Sequence, residues 1–129
     1  MATILVVDDD DAIRSTLYDL FSDEHVCHAA ETAEQALTYL TVESYDVVLT
    51  DFLMPGLSGL ELLGHLRQRQ PETPVILISG VSNQERAKDL IEMGAFDYLV
   101  KPFRLEAVEE SVRRAVEHHQ KIMAERQGS

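Results

Sequence analysis

Residues 4–11 read ILVVDDDD, four aliphatic side chains followed directly by four aspartates. The aliphatic half has the character of a strand buried on both faces of a parallel sheet, where branched side chains run without polar interruption. A buried strand that ends in a block of negative charge carries that charge to the rim of the core. In open parallel sheets the rim at the carboxyl ends of the strands is where ligands bind. The stretch therefore names both the fold to look for and the place to look for chemistry.

Working outward, the opening run extends over Thr3–Val7 (TILVV) and similar runs recur at 47–50 (VVLT), 75–78 (VILI) and 96–100 (FDYLV), with a weaker one at 25–29 (HVCHA) expected at an edge. Between them apolar residues return at helical spacing, as in Ile13, Leu17, Leu20 and Phe21, and in Ala33, Ala36, Leu37 and Leu40. Thr32 with Gln35, Ser58 with Glu61 and Ser82 with Glu85 have the spacing of helix-opening capping boxes. Gly94, after Ile91 and Met93, has the position of a helix C-terminal glycine. There is no internal repeat, low-complexity tract or mid-chain linker. The pattern is (βα)5, which predicts an α/β fold with a doubly wound, five-stranded parallel sheet. Five units are too few to close an eight-stranded barrel.

The totals restrict the function. A chain of 129 residues suffices for one domain with its own core, and its 45% apolar and 26% charged residues are those of a globular protein. The net charge of −12 argues against direct binding to nucleic acid or an anionic membrane, both of which need a basic face. It fits a protein that binds cations. Cys27 is the single cysteine, so no internal disulfide is possible. The N terminus lacks the features of a signal peptide, and no apolar run approaches the roughly 18 residues of a spanning helix. A cytoplasmic location is the expectation.

The strand-end rule can be applied to each run in turn. After ILVV come Asp8 and Asp9, after VVLT comes Asp51, after VILI come Ser79 and Gly80, and after YLV come Lys101 and Pro102. Four strands thus deliver three carboxylates, a hydroxyl and an ammonium to one edge. Carboxylates about 4 Å apart repel by on the order of 4 kcal/mol per pair at an effective dielectric near 20, so such a cluster takes up protons or holds a cation. Oxygen-only donors select a hard divalent ion, Mg2+ or alternatively Mn2+. Magnesium commonly bridges to phosphate, which leaves Lys101 and Ser79 to bind phosphoryl oxygens and Asp51 to act as a carboxylate nucleophile. Any one of these residues alone could be a solvated strand end or a cap, and Asp10 and Asp11 are assigned to capping the first helix. Coincidence at four strand ends favours a site.

VVDDD, LTDFLMPGLSGLELL, ISG and FDYLVKPF together resemble the receiver domain of bacterial two-component response regulators, of the chemotaxis-regulator type. The likeness runs from about residue 3 to about residue 115. It implies the flavodoxin-like strand order 2-1-3-4-5 and a phosphorylation-activated signalling module rather than an enzyme with an external substrate. Asp51 would be the phosphoacceptor, with Mg2+ held by Asp9 directly, Asp8 through water, Asp51 and the backbone carbonyl of Leu53. Ser79 and Lys101 would contact the phosphoryl group, Tyr98 would change rotamer on activation, and the 101–102 bond would be cis. Leu53 and Val81 would flank the path of hydrolytic water; both are apolar, which predicts a slowly decaying phosphorylated state.

Implied partners are a sensor histidine kinase or phosphotransfer protein as donor, an output domain or target protein reached through the last helices, and a second copy on phosphorylation. Residues 1–118 are expected to form the receiver domain and 119–129 an extension of the last helix toward an output domain. Leu105, Val108, Val112, Ala115, His119 and Ile122 continue an apolar seam into that extension, and fraying after His118 is the alternative.

Two other functions use related parts. A haloacid-dehalogenase-like phosphatase wants a second acid two residues after its nucleophile, where this chain has Leu53. A flavodoxin-like FMN protein needs a phosphate-cradling first loop, where four aspartates would repel the ligand. A receiver that only binds partners would have lost some of the five site groups, and all are present. The five histidines are read as structural or surface residues, because His118 and His119 point apart on a helix and His25 and His28 fall on opposite strand faces. Cys27 is read as an inert buried residue.

Overall fold

Strand and helix alternate without exception in the computed structural model, which describes residues 1–52, 56, 58–80 and 84–127. The elements are β1 (Thr3–Val7), α1 (Asp11–Ser22), β2 (Val26–Ala30), α2 (Ala33–Val42), β3 (Val47–Asp51), α3 (Gly59–Arg69), β4 (Val75–Ser79), α4 (Gln84–Glu92), β5 (Asp97–Val100) and α5 (Leu105–Gln127). All strand pairs are parallel, in the order β2-β1-β3-β4-β5. The order reverses between β1 and β3, which is the switch point where such sheets bind ligands.

Side-chain alternation along the strands divides the core in two. Leu5, Val7, Val48 and Leu77 face α2 and α3 through Ala33, Ala36, Leu40, Leu62, Leu63 and Leu66. Ile4, Val6, Leu49, Ile76 and Ile78 face α1 and α5 through Leu17, Phe21, Val108, Val112 and Ala115. The predicted edge strand is β2, and it begins at Val26. His25 is taken up in closing α1, since its amide donates to the Phe21 carbonyl at 3.0 Å and its Nδ1 accepts from the Ala2 amide at 3.0 Å.

The local signals act as physical chemistry requires, with one displacement. Ser58 and Glu61 close a full capping box. Thr32 accepts from the Gln35 amide, but the Gln35 side chain accepts from the Glu31 amide, one residue before the expected cap. Ser82 lies outside the described residues. Gly94 ends α4 at a φ of +112°, which lets the amides of Gly94 and Ala95 return to the carbonyls of Ile91 and Leu90.

The last helix does not fray after His118. α5 runs unbroken for 23 residues, about 35 Å at 1.5 Å per residue. His119 is buried, and its Nδ1 lies 2.8 Å from Asp46 Oδ1 at the entry to β3.

Candidate functional site

Strand register builds the site. Val7 pairs with Thr50, so Asp8 and Asp51 stand side by side at the ends of β1 and β3. Asp51 aligns with Ile78, and Ser79 aligns with Val100, which brings Ser79 and then Lys101 to the same rim. The Lys101 amide donates to the Ser79 carbonyl at 2.7 Å, and the Lys101–Pro102 bond is cis, as expected.

The four aspartates of the opening stretch take four different positions. Asp8 is only 1% exposed; its Oδ1 accepts from the Asp10 amide at 2.9 Å and its Oδ2 lies 3.3 Å from Lys101 Nζ. Asp9 stands exposed at the rim. Asp10 caps α1 by accepting from the amides of Ala12 and Ile13, and Asp11 pairs with Arg14 in the first turn. The assignment of Asp10 and Asp11 to the helix is therefore correct.

Lys101 Nζ reaches Asp51 Oδ2 at 3.4 Å as well as Asp8, so one ammonium bridges the two buried carboxylates. Burial first, and then the neighbouring Asp8 charge, push the Asp51 carboxyl up to about 6, and Lys101 only partly opposes them. Burial works against the Lys101 charge, but Asp8 and Asp51 outweigh it and hold the ammonium above its ordinary value. One positive charge thus leaves the three carboxylates under-neutralised. Asp8, Asp9 and Asp51 each offer an oxygen, and these oxygens lie within 4.8 Å of one another. An all-oxygen, net-negative, partly open group fits a hard divalent cation.

Ser79 is buried at the end of β4. Tyr98 is half-buried and packs against the core face that holds α2 and α3. Leu53 and Val81 lie outside the described residues. Cys27 is buried, with its thiol pushed up to about 11 by burial, as an inert residue should be. His28 Nδ1 meets the Tyr45 hydroxyl at 2.7 Å, and with His119 on Asp46 both histidines serve structure.

Two residues at the site escaped the sequence reading. Gly59 allows α3 to start directly against the end of β3, since a Cβ there would stand 2.2 Å from the Asp51 carbonyl oxygen. Arg14 donates from Nη1 to the Asp8 carbonyl at 2.9 Å. Its place three residues after Asp11 signalled a helix pair, and nothing in the sequence signalled the carbonyl.

Comparison with known proteins agrees with the family resemblance carried by the sequence motifs. Residues 4–113 match the family described as the response regulator receiver domain. The response regulator protein FleR of Pseudomonas aeruginosa is 41% identical over 114 residues, 88% of this chain and 24% of FleR. The DNA-binding transcriptional regulator NtrC of Klebsiella pneumoniae is 39% identical over 116 residues, 89% of this chain and 25% of NtrC. A response regulator receiver domain from Clostridium thermocellum superposes with a TM-score of 0.87 at 30% identity, over 95% of this chain and 99% of that one. The chain spans about a quarter of the length of these two curated relatives. Among the described residues no helix is long and apolar enough to cross a membrane.

Proposed function

The chain belongs to the response regulator receiver domain family, the signalling modules of two-component systems, and from that premise we propose that Asp51 is its phosphoacceptor. The observation that carries this reading is the placement of the buried Asp51 carboxylate beside Asp8, with Lys101 Nζ within 3.4 Å of both.

In the proposed reaction an Asp51 carboxylate oxygen attacks the phosphorus of a phosphohistidine on a sensor kinase or phosphotransfer protein. The P–N bond breaks, its electron pair returns to the imidazole, and an acyl phosphate remains on Asp51. Lys101 and the Ser79 hydroxyl receive phosphoryl oxygens, in the positions from which they reach the rim together. Asp8, Asp9, Asp51 and, as the family resemblance implies, the Leu53 carbonyl would hold Mg2+ or Mn2+, whose positive charge would offset the anionic transition state. Dephosphorylation is the attack of water on the same phosphorus: the P–O bond to Asp51 breaks, its electron pair returns to the carboxylate, and inorganic phosphate leaves with the water's proton released to solvent, while apolar Leu53 and Val81 offer no side chain to orient that water. Tyr98 is the switch residue that reports the state of Ser79 to the surface.

The output leaves through the last helices, to a further domain or a target protein, with a second copy as a partner in the phosphorylated state. In this reading residues 1–118 form the receiver and 119–129 lead toward the output. The setting is cytoplasmic, and the acidic surface makes no direct contact with nucleic acid or membrane.

The test is incubation with acetyl phosphate and Mg2+, followed by intact-mass measurement. The wild-type chain is expected to gain one phosphoryl group and Asp51→Asn none. Equal labelling of the variant would place the phosphoacceptor elsewhere.

A further inference from the structure

We propose that Arg14 is the positioning residue of the divalent-cation site, holding the turn between β1 and α1 in the shape that presents Asp8 and Asp9 to the ion. The inference rests on the cation-site reading above and adds a residue that is not itself a ligand.

Arg14 lies on the first turns of α1 with its side chain only 15% exposed. Its Nη1 donates to the Asp8 carbonyl at 2.9 Å, its Nη2 pairs with Asp11 Oδ1, and Glu31 Oε1 stands 3.7 Å away. The Asp8 carbonyl belongs to the peptide plane that joins Asp8 to Asp9. Because that plane is rigid, one hydrogen bond to its oxygen restricts the directions in which both Cα atoms leave it. The Asp8 carboxylate is also held by the Asp10 amide and Lys101. Among the described residues no hydrogen bond holds the Asp9 side chain, so the backbone that Arg14 grips sets the point from which that carboxylate reaches the rim.

Charge alone would make an arginine unwelcome here, since a guanidinium repels an incoming cation. Asp11 and Glu31 flank the same guanidinium, and Arg14 therefore meets the site as a partly neutralised donor. A planar fork serves two acceptors at once, the Asp8 carbonyl and the Asp11 carboxylate, in a way that a lysine ammonium cannot. The two possible roles have opposite signs. If charge dominates, loss of Arg14 tightens cation binding; if positioning dominates, loss of Arg14 weakens it.

Calorimetric titration of Mn2+ into the whole chain decides, read alongside the melting temperature without metal. Residues that orient metal ligands typically contribute 10- to 100-fold in affinity. Arg14→Ala and Arg14→Lys are each expected to weaken Mn2+ binding about tenfold, the lysine variant because it keeps the charge and loses the fork. The metal-free melting temperature of Arg14→Lys is expected to stay near wild type. Unchanged or tighter Mn2+ binding in Arg14→Lys would overturn the proposal, as would a lower metal-free melting temperature with wild-type affinity. If Arg14→Ala does not fold, Arg14→Lys carries the test alone. Asp9→Ala separates the two readings, because Mn2+ binding that survives its removal refutes the cation site itself.

Discussion

Asp51 is held 7% exposed, next to a second buried carboxylate, and its carboxyl accordingly takes up a proton more readily than an ordinary aspartate. The sign of the resulting pH dependence follows from that direction. A group whose folded-state pKa lies above its unfolded value contributes stability that is fully present below the unfolded value and is lost as pH rises through the folded one. For Asp51 the window runs from its ordinary 3.8 to about 6. A displacement of that size corresponds to about 3 kcal/mol at most. Metal-free protein is expected to lose stability between pH 4 and pH 6, and Asp51→Asn is expected to flatten that loss and to be the more stable protein at pH 7. Urea unfolding in a chelating buffer checks it; an unchanged slope in the variant would show that Asp51 is not the group responsible. Gly59 belongs to the same scale, because only a residue without Cβ lets α3 begin against the Asp51 carbonyl.

Among the elements, α5 departs most from what one domain requires. Its last turns stay on the body: His119 bonds Asp46, whose other oxygen accepts from the Thr3 amide at 2.8 Å, and Arg126 pairs with Glu72. The ring of His118 lies 5.5 Å from that of Phe96 at the entry to β5. The Asp46 carboxylate thus joins the start of β1 to the second half of α5. Leaving a half-buried acceptor without its donor costs on the order of 1–2 kcal/mol. His119→Ala is expected to lower the urea midpoint by that amount, and removal of residues 119–129 by at least as much. An unchanged midpoint in the truncated chain would make the extension a pure linker that adds nothing to the receiver.

Over the whole molecule, 23 acidic residues face 11 lysines and arginines, and three of the acids converge on one rim. A cation that binds only the folded state stabilises it by RT ln(1 + [L]/Kd), about 2.7 kcal/mol at one hundred times Kd. Millimolar Mg2+ is expected to raise the melting temperature of the wild-type chain and to leave Asp9→Ala unmoved. In the absence of metal Asp9→Ala is expected to equal or exceed wild type, since one repelling charge has left the cluster. A melting temperature indifferent to Mg2+ would remove the cation from this account.

The alternation of elements, the caps at Asp10, Thr32 and Ser58 and the polar groups closing four of the strands could be read from residue order, because each depends on neighbours a few positions away. Branched residues make buried strands, Ser58 and Glu61 satisfy the amides of their own helix, and whatever follows a parallel strand must emerge at its carboxyl end. That sufficed to name Asp8, Asp9, Asp51, Ser79 and Lys101. The pairing of Lys101 with Asp8, 93 positions apart, and of His119 with Asp46, 73 apart, depends instead on strand register and on the rotation of α5 over the sheet. The same holds for Arg14 on a backbone carbonyl and for Gly59 against Asp51. Such contacts are set by how whole elements pack, and a backbone carbonyl carries no residue identity by which a partner could be recognised beforehand.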